Sequence, residues 1–193
     1  MKTANAILLS AACAALMSLN MPARAVTMVL GNKLAHDCYL LARAGGQATI
    51  GIRTCNSALE NEALSPHDRA GTYVNRGALK MEQKQVDDAI LDYNTGIAIF
   101  PLLGDAYVDR GGALTMKDKF DEAMIDINRG IELGPSQPFA GYYNRAVTYQ
   151  RMGKYKEAYL DYKKTLELES RFEPAAERLK DFVVVRKPAA NAP

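Results

Sequence analysis

The chain has 193 residues, with 24 Lys+Arg against 22 Asp+Glu, two His, three Cys, no Trp and 48% apolar residues. That apolar share supports a packed core and excludes wholesale disorder, and the formal charge of +2 excludes a nucleic-acid binder driven by a general basic surface. Two His and three Cys leave little material for a metal site, and none is expected.

Residues 1–25 have the three-part layout of a secretory signal peptide. Lys2 gives a positive start and Ala4 to Leu19 is mostly apolar. Met21-Pro22-Ala23-Arg24-Ala25 then places small residues at the minus-three and minus-one positions of a cleavage site after Ala25. The apolar run is shorter than the roughly 20 residues a membrane span needs, which disfavours a retained anchor. Acylation of Cys13 as a lipoprotein is disfavoured by Ser10, which stands where a large apolar residue is wanted. No second apolar run approaches membrane length, so a periplasmic or secreted protein with no membrane insertion is expected. Export would leave Cys38 and Cys55 as one pair in an oxidising compartment, as a disulfide or as two buried thiols.

Residues 26–69 read as a first helical hairpin. Leu34, Cys38, Leu41 and Ala42 lie on one face from Lys33 to Ala44, and Gly45-Gly46 stops the helix. Thr49 is expected to cap a second helix from Ile50 to Leu64, with Ile52, Cys55, Leu59 and Ala63 facing inward. Ser65-Pro66-His67-Asp68 then opens the next helix as a cap, a first-turn proline and a capping-box acid.

From there the chain repeats itself. Tyr73-Val74-Asn75-Arg76-Gly77 is echoed by Tyr107-Val108-Asp109-Arg110-Gly111 and again by Tyr142-Tyr143-Asn144-Arg145-Ala146. Asp88-Ala89-Ile90 returns as Glu122-Ala123-Met124 and Glu157-Ala158-Tyr159, and Pro101 and Pro135 close the first two units. Apolar spacing within each unit is helical. Gly77, Gly111 and Ala146 on the first helix face Ala89, Ala123 and Ala158 on the second, where two helices meet closely only if both lack bulk.

The period, the small residues, the alanines, the aromatic Tyr93 and Tyr162, and the closing prolines resemble the tetratricopeptide repeat. Units at 70–103, 104–138 and 139–172 carry the resemblance. It implies an all-α fold: antiparallel helix hairpins stacked into a right-handed superhelix with a concave groove lined by the first helices. It also implies a non-enzymatic protein–protein adaptor that takes a peptide or helix of a partner in that groove. The groove positions carried over are Val74, Asn75, Ala78 and Met81 in the first unit, with Glu82 beside them. The second unit supplies Val108, Asp109, Gly112 and Met116, and the third Tyr143, Asn144, Val147 and Arg151. The carboxylate clamp of co-chaperone members is absent, since its positions hold Val74, Ala78, Asp109, Ala140 and Asn144. A further helix over 173–187 would cover the last repeat, followed by a tail over 188–193.

Arg76, Arg110 and Arg145 recur with Asp92, Asp126 and Asp161 in step. They read either as a ladder for an anionic ligand or as structural pairs joining the two helices of each unit, and the co-occurrence favours pairs. His36 and His67 have no neighbouring nucleophile, no phosphate-binding loop is present, and no cofactor is expected. An assembly subunit of an envelope complex, using its convex face or its end helices, is the alternative to a groove adaptor. Without Lys2 and Arg24 the basic count falls to 24 − 2 = 22 against 22 acids.

Overall fold

The computed structural model describes residues 7–11, 22–29 and 33–186. Four helical hairpins follow one another: α1 (Lys33–Ala44) with α2 (Ala48–Asn61), α3 (Pro66–Glu82) with α4 (Val86–Ile99), α5 (Gly104–Met116) with α6 (Phe120–Leu133), and α7 (Pro138–Arg151) with α8 (Tyr155–Leu168). A short helix α9 (Glu173–Lys180) lies against α8. The stack is a right-handed superhelical α-solenoid.

Local chemistry sets the hairpins. The Asp68 backbone N–H donates to Ser65 Oγ at 3.1 Å, with Pro66 in the first turn of α3. The three repeat turns share one geometry, a left-handed residue at the tip: Lys84 (φ 60°), Asp118 (φ 60°) and Gly153 (φ 75°). In each, the next residue's N–H reaches back to a carbonyl five residues earlier, from Gln85 to Lys80, Lys119 to Leu114 and Lys154 to Tyr149. That bond closes the helix end and reverses the chain. Close approach then needs missing side chains. A Cβ on Gly111 would lie 2.5 Å from Ile127 Cγ1 and 3.0 Å from the Ala123 carbonyl oxygen, and one on Gly77 2.5 Å from the Tyr93 ring.

Cys38 and Cys55 are joined in a disulfide between α1 and α2, with Cα atoms 4.9 Å apart. The first hairpin has only one neighbouring repeat to lean on. Its other tie is Glu62, whose carboxylate accepts the Leu34 and Ala35 N–H groups at 2.9 and 3.0 Å and so caps α1 from the end of α2. A separation of 17 residues corresponds to about 3 kcal/mol of loop-closure stabilisation. The Cys38→Ala/Cys55→Ala chain is therefore expected to melt roughly 6–12 °C lower by calorimetry.

Two expected boundaries are corrected. α2 begins at Ala48 rather than Ile50 and ends at Asn61, so Thr49 lies inside the helix, where its hydroxyl accepts from Gln83 Nε2 at 2.8 Å instead of capping. The last helix stops at Lys180 instead of reaching 187. Residues Phe182–Arg186 form strand β2, paired antiparallel with β1 (Ile7–Ala11), Ile7 opposite Arg186 and Ala11 opposite Phe182. The β-branched run at 183–185 explains the change, since such residues lose rotamer freedom in a helix and gain pairing in a strand. Phe182 is buried beside the Tyr159 and Tyr162 rings, with centroids 5.9 and 6.0 Å away. Cys13 and the tail at 188–193 lie outside the described residues, as does most of the leader-like stretch.

Candidate functional site

The concave face is built from the first helices of the repeats, and an extended segment of the same chain, residues 22–29, lies along it. Asn75, Asp109 and Asn144 stand at equivalent places on α3, α5 and α7 and hold that segment by its backbone. The side-chain amide of Asn144 accepts the Ala23 N–H at 2.8 Å and donates to the Ala23 carbonyl at 3.0 Å. The amide of Asn75 does the same at Thr27, at 3.1 and 2.9 Å. Between them, Asp109 Oδ1 accepts the Ala25 N–H at 2.9 Å. Residues 23, 25 and 27 share one side of an extended chain, so three rungs on three repeats meet every second residue.

The segment's side chains match this seat. Ala23, Ala25, Thr27 and Val29 are buried, and Val26 beds against the first hairpin. Gly112 admits Pro22, because a Cβ there would lie 2.7 Å from the proline ring. Arg24 points the other way and pairs with Glu82, whose second oxygen accepts the Gly46 N–H at 3.1 Å. Arg24, Val26 and Met28 face an open depression of about 620 Å³, bounded by Tyr39 and Arg43 at one end and Phe139, Glu169 and Phe172 at the other.

Electrostatics single out the middle rung. Burial, with Asp105 nearby, pushes the Asp109 carboxyl up to about 8 against the pull of the Ala25 N–H and Arg24. Its Oδ2 is buried and has no hydrogen-bond partner among the described residues. Asp105 is also raised by burial, although it accepts from the Ser136 N–H and hydroxyl, both at 2.8 Å, and from the Thr27 hydroxyl at 3.2 Å.

The expected groove residues divide. Asn75, Asp109, Gly112 and Asn144 touch the segment, and Val147 belongs to the same apolar cluster as Ala23 and Ala25. Ala78 is fully buried. Val74 and Val108 turn toward the second helices of their hairpins, where Gly96 and Gly130 leave room for them. Met81 is buried and Met116 half-buried in the cluster around Tyr93. Arg151 donates to the Thr115 carbonyl and to Asp118 and lies over the Phe120 ring, tying the third repeat to the second. Tyr143 is a correction. It does not present itself to a partner but is 3% exposed, its ring 5.0 Å from that of Phe172 and 5.8 Å from that of Tyr162. The aromatic residues that follow α7 close over it.

The recurrent arginines are committed elsewhere. Each donates from Nε and Nη2 to its aspartate, as in Arg76–Asp92 at 2.9 and 2.6 Å and Arg145–Asp161 at 2.7 and 3.0 Å. The remaining nitrogen donates to an asparagine of the preceding hairpin: Asn56, Asn94 or Asn128. Sequence reasoning missed those asparagines, and also Asp105 and Ser136. The asparagines are spaced by 38 and then 34 residues, so the first is out of register. His36 Nδ1 lies 3.0 Å from the Val29 carbonyl oxygen, and the His67 ring meets Phe100 edge-on. Among the described residues, no three His, Cys, Asp or Glu side chains gather as a metal site, and no helix is long and apolar enough to cross a membrane.

Residues 139–172 match the family model of the tetratricopeptide repeat. No curated protein sequence matches the chain. Among solved structures, MamA is similar at TM-score 0.57 and 22% identity, with 78% of this chain and 82% of that one aligned. The second tetratricopeptide domain of human RPAP3, solved with an HSP70 peptide, aligns at TM-score 0.53 and 26% identity over 60% of this chain and 96% of that one. The first such domain of Spaghetti (RPAP3), bound to an HSP90 peptide, aligns at 0.54 and 26% over 59% and 90%.

Proposed function

Because the chain is built of tetratricopeptide repeats, we propose that it is a non-enzymatic adaptor that binds an extended segment of a partner protein in its concave groove. The observation that carries this is the rung set Asn75, Asp109 and Asn144, which grips an extended segment by its backbone. The peptides bound by the RPAP3 domains support the same use of the fold. The leader-like start, the cleavage pattern ending at Ala25 and the Cys38–Cys55 bond support a periplasmic or secreted location.

An assembly role has an observation of its own. Leu91, Ile125 and Leu160 recur at repeat spacing on the second helices and are 62%, 72% and 55% exposed. A photoreactive residue at Met28, beside the groove, or at Ile125, on the convex side, separates the two readings in cells. A groove adaptor yields its crosslinked partner from position 28 and not from 125, and the reverse result assigns the partner to the convex face.

A further inference from the structure

We propose that residues 22–27 are an internal occupant of the partner site, and that they display the partner's chemistry: an extended segment with a small–basic–small core, gripped by its backbone. This rests on the adaptor reading above and specifies which segments that groove accepts.

The requirement for small residues follows from Ala23 and Ala25, which are 7% and 0% exposed in one cluster with Val108, Ala146 and Val147. A longer side chain at either place has no room. The requirement for a basic residue between them follows from Glu82, a mostly buried carboxylate that pairs with Arg24 and is itself fixed by the Gly46 N–H. The backbone contacts set direction: the chain runs from the third repeat to the first, N-terminus to C-terminus.

The same contacts link the site to processing. Removal of residues 1–25 would take Ala23 and Ala25 from the Asn144 and Asp109 rungs and Arg24 from Glu82. Thr27 would stay on Asn75. The vacated rungs keep their donors and acceptors on the groove at the same two-residue spacing, so the processed chain is set to accept a second extended segment. In the unprocessed chain the occupant blocks that site.

The test uses the full chain with Ala23→Glu and Ala25→Glu, whose longer charged side chains do not fit the buried seats of the two alanines. The probe is a fluorescent peptide of residues 20–25, followed by anisotropy. The vacated chain should bind it at least 10-fold more tightly than the unaltered chain. Replacing the peptide's arginine by glutamate should weaken binding at least 10-fold, and Glu82→Arg in the vacated chain should restore it. Equal binding of both peptides, or binding no tighter than to the unaltered chain, overturns the proposal. If the vacated chain fails to fold, amide exchange in the unaltered chain decides. Protection at Ala23, Ala25 and Thr27 beyond that at Arg24 and Met28 supports the internal occupant, and uniform fast exchange overturns it. N-terminal sequencing of the chain from cells tests the processing step separately: a chain beginning at Met1 removes that step and leaves the peptide result standing.

Discussion

Replacing Asp109 by Asn is expected to stabilise the full chain, and to do so more as the pH rises. The native carboxyl titrates at about 8, against an ordinary carboxylate near 4. Between those values the native state holds a proton that the unfolded chain has released. Stability therefore falls as pH rises from about 4 to about 8 and is flat above that window. The charges bearing on Asp109 are Asp105 on its own helix and Arg24 on the bound segment, and Tyr93 on α4 feels the acid in turn. The segment can lift away and let water in, which limits the cost to a few kcal/mol, short of the roughly 5 that the full window would give. Asparagine keeps the acceptor for the Ala25 N–H and puts an N–H donor where Oδ2 has no partner among the described residues, as at the two outer rungs. Calorimetry should show a gain of roughly 5–10 °C at pH 8.5, fading toward zero near pH 4. A shallow slope from Asp105 should survive in the variant, since that carboxyl is raised as well. A gain of the same size at both pH values would show that Asp109 is ionised in the native groove.

Much of this was legible in the sequence, and the parts that were not share a cause. The echo of Tyr-Val-Asn-Arg-Gly carries the helices, the turns and the register of Asn75, Asp109 and Asn144, because each unit repeats the same local contacts. What lies in the groove escaped, because a short extended segment has no helical period. Pro22-Ala23-Arg24-Ala25 also reads equally well as a cleavage site. The small residues that suit a peptidase suit the rungs too. Tyr143 shares its repeat position with Val74 and Val108, yet its fate is set by the ring of Phe172 at the very end of its own unit, a place where the first unit carries no aromatic residue. The strand at 182–186 was foreshadowed by its valines, but its partner lies at 7–11, at the other end of the chain. Contacts between repeat and non-repeat parts carry no periodic signal.

The joints between hairpins are where a single substitution should cost most. Arg110 donates to Asp126 at 2.6 and 2.7 Å and to Asn94 at 2.7 Å, and its guanidinium lies 5.6 Å from the centre of the Tyr107 ring. It thus ties α5 to α6 within a hairpin and to α4 of the one before. The Arg110→Ala chain keeps an Asp126 side chain only 9% exposed and without its bidentate cation. An uncompensated buried acid costs about 3–5 kcal/mol when fully enclosed, and the 22% exposure of Arg110 reduces that to about 2–4. The expected fall in melting temperature is roughly 5–12 °C. Arg110→Lys should recover less than half of it, because an ammonium cannot span both carboxylate oxygens and the asparagine. Removing Asp126 as well should cost less than the two single losses added together, since the acid is no longer left unpaired. If the arginines formed a ladder for an anionic ligand instead, Arg110→Ala would melt like the unaltered chain. Their nitrogens are already taken by aspartate and asparagine in all three repeats, so the effect should appear in the melt and leave the groove peptide's affinity unchanged.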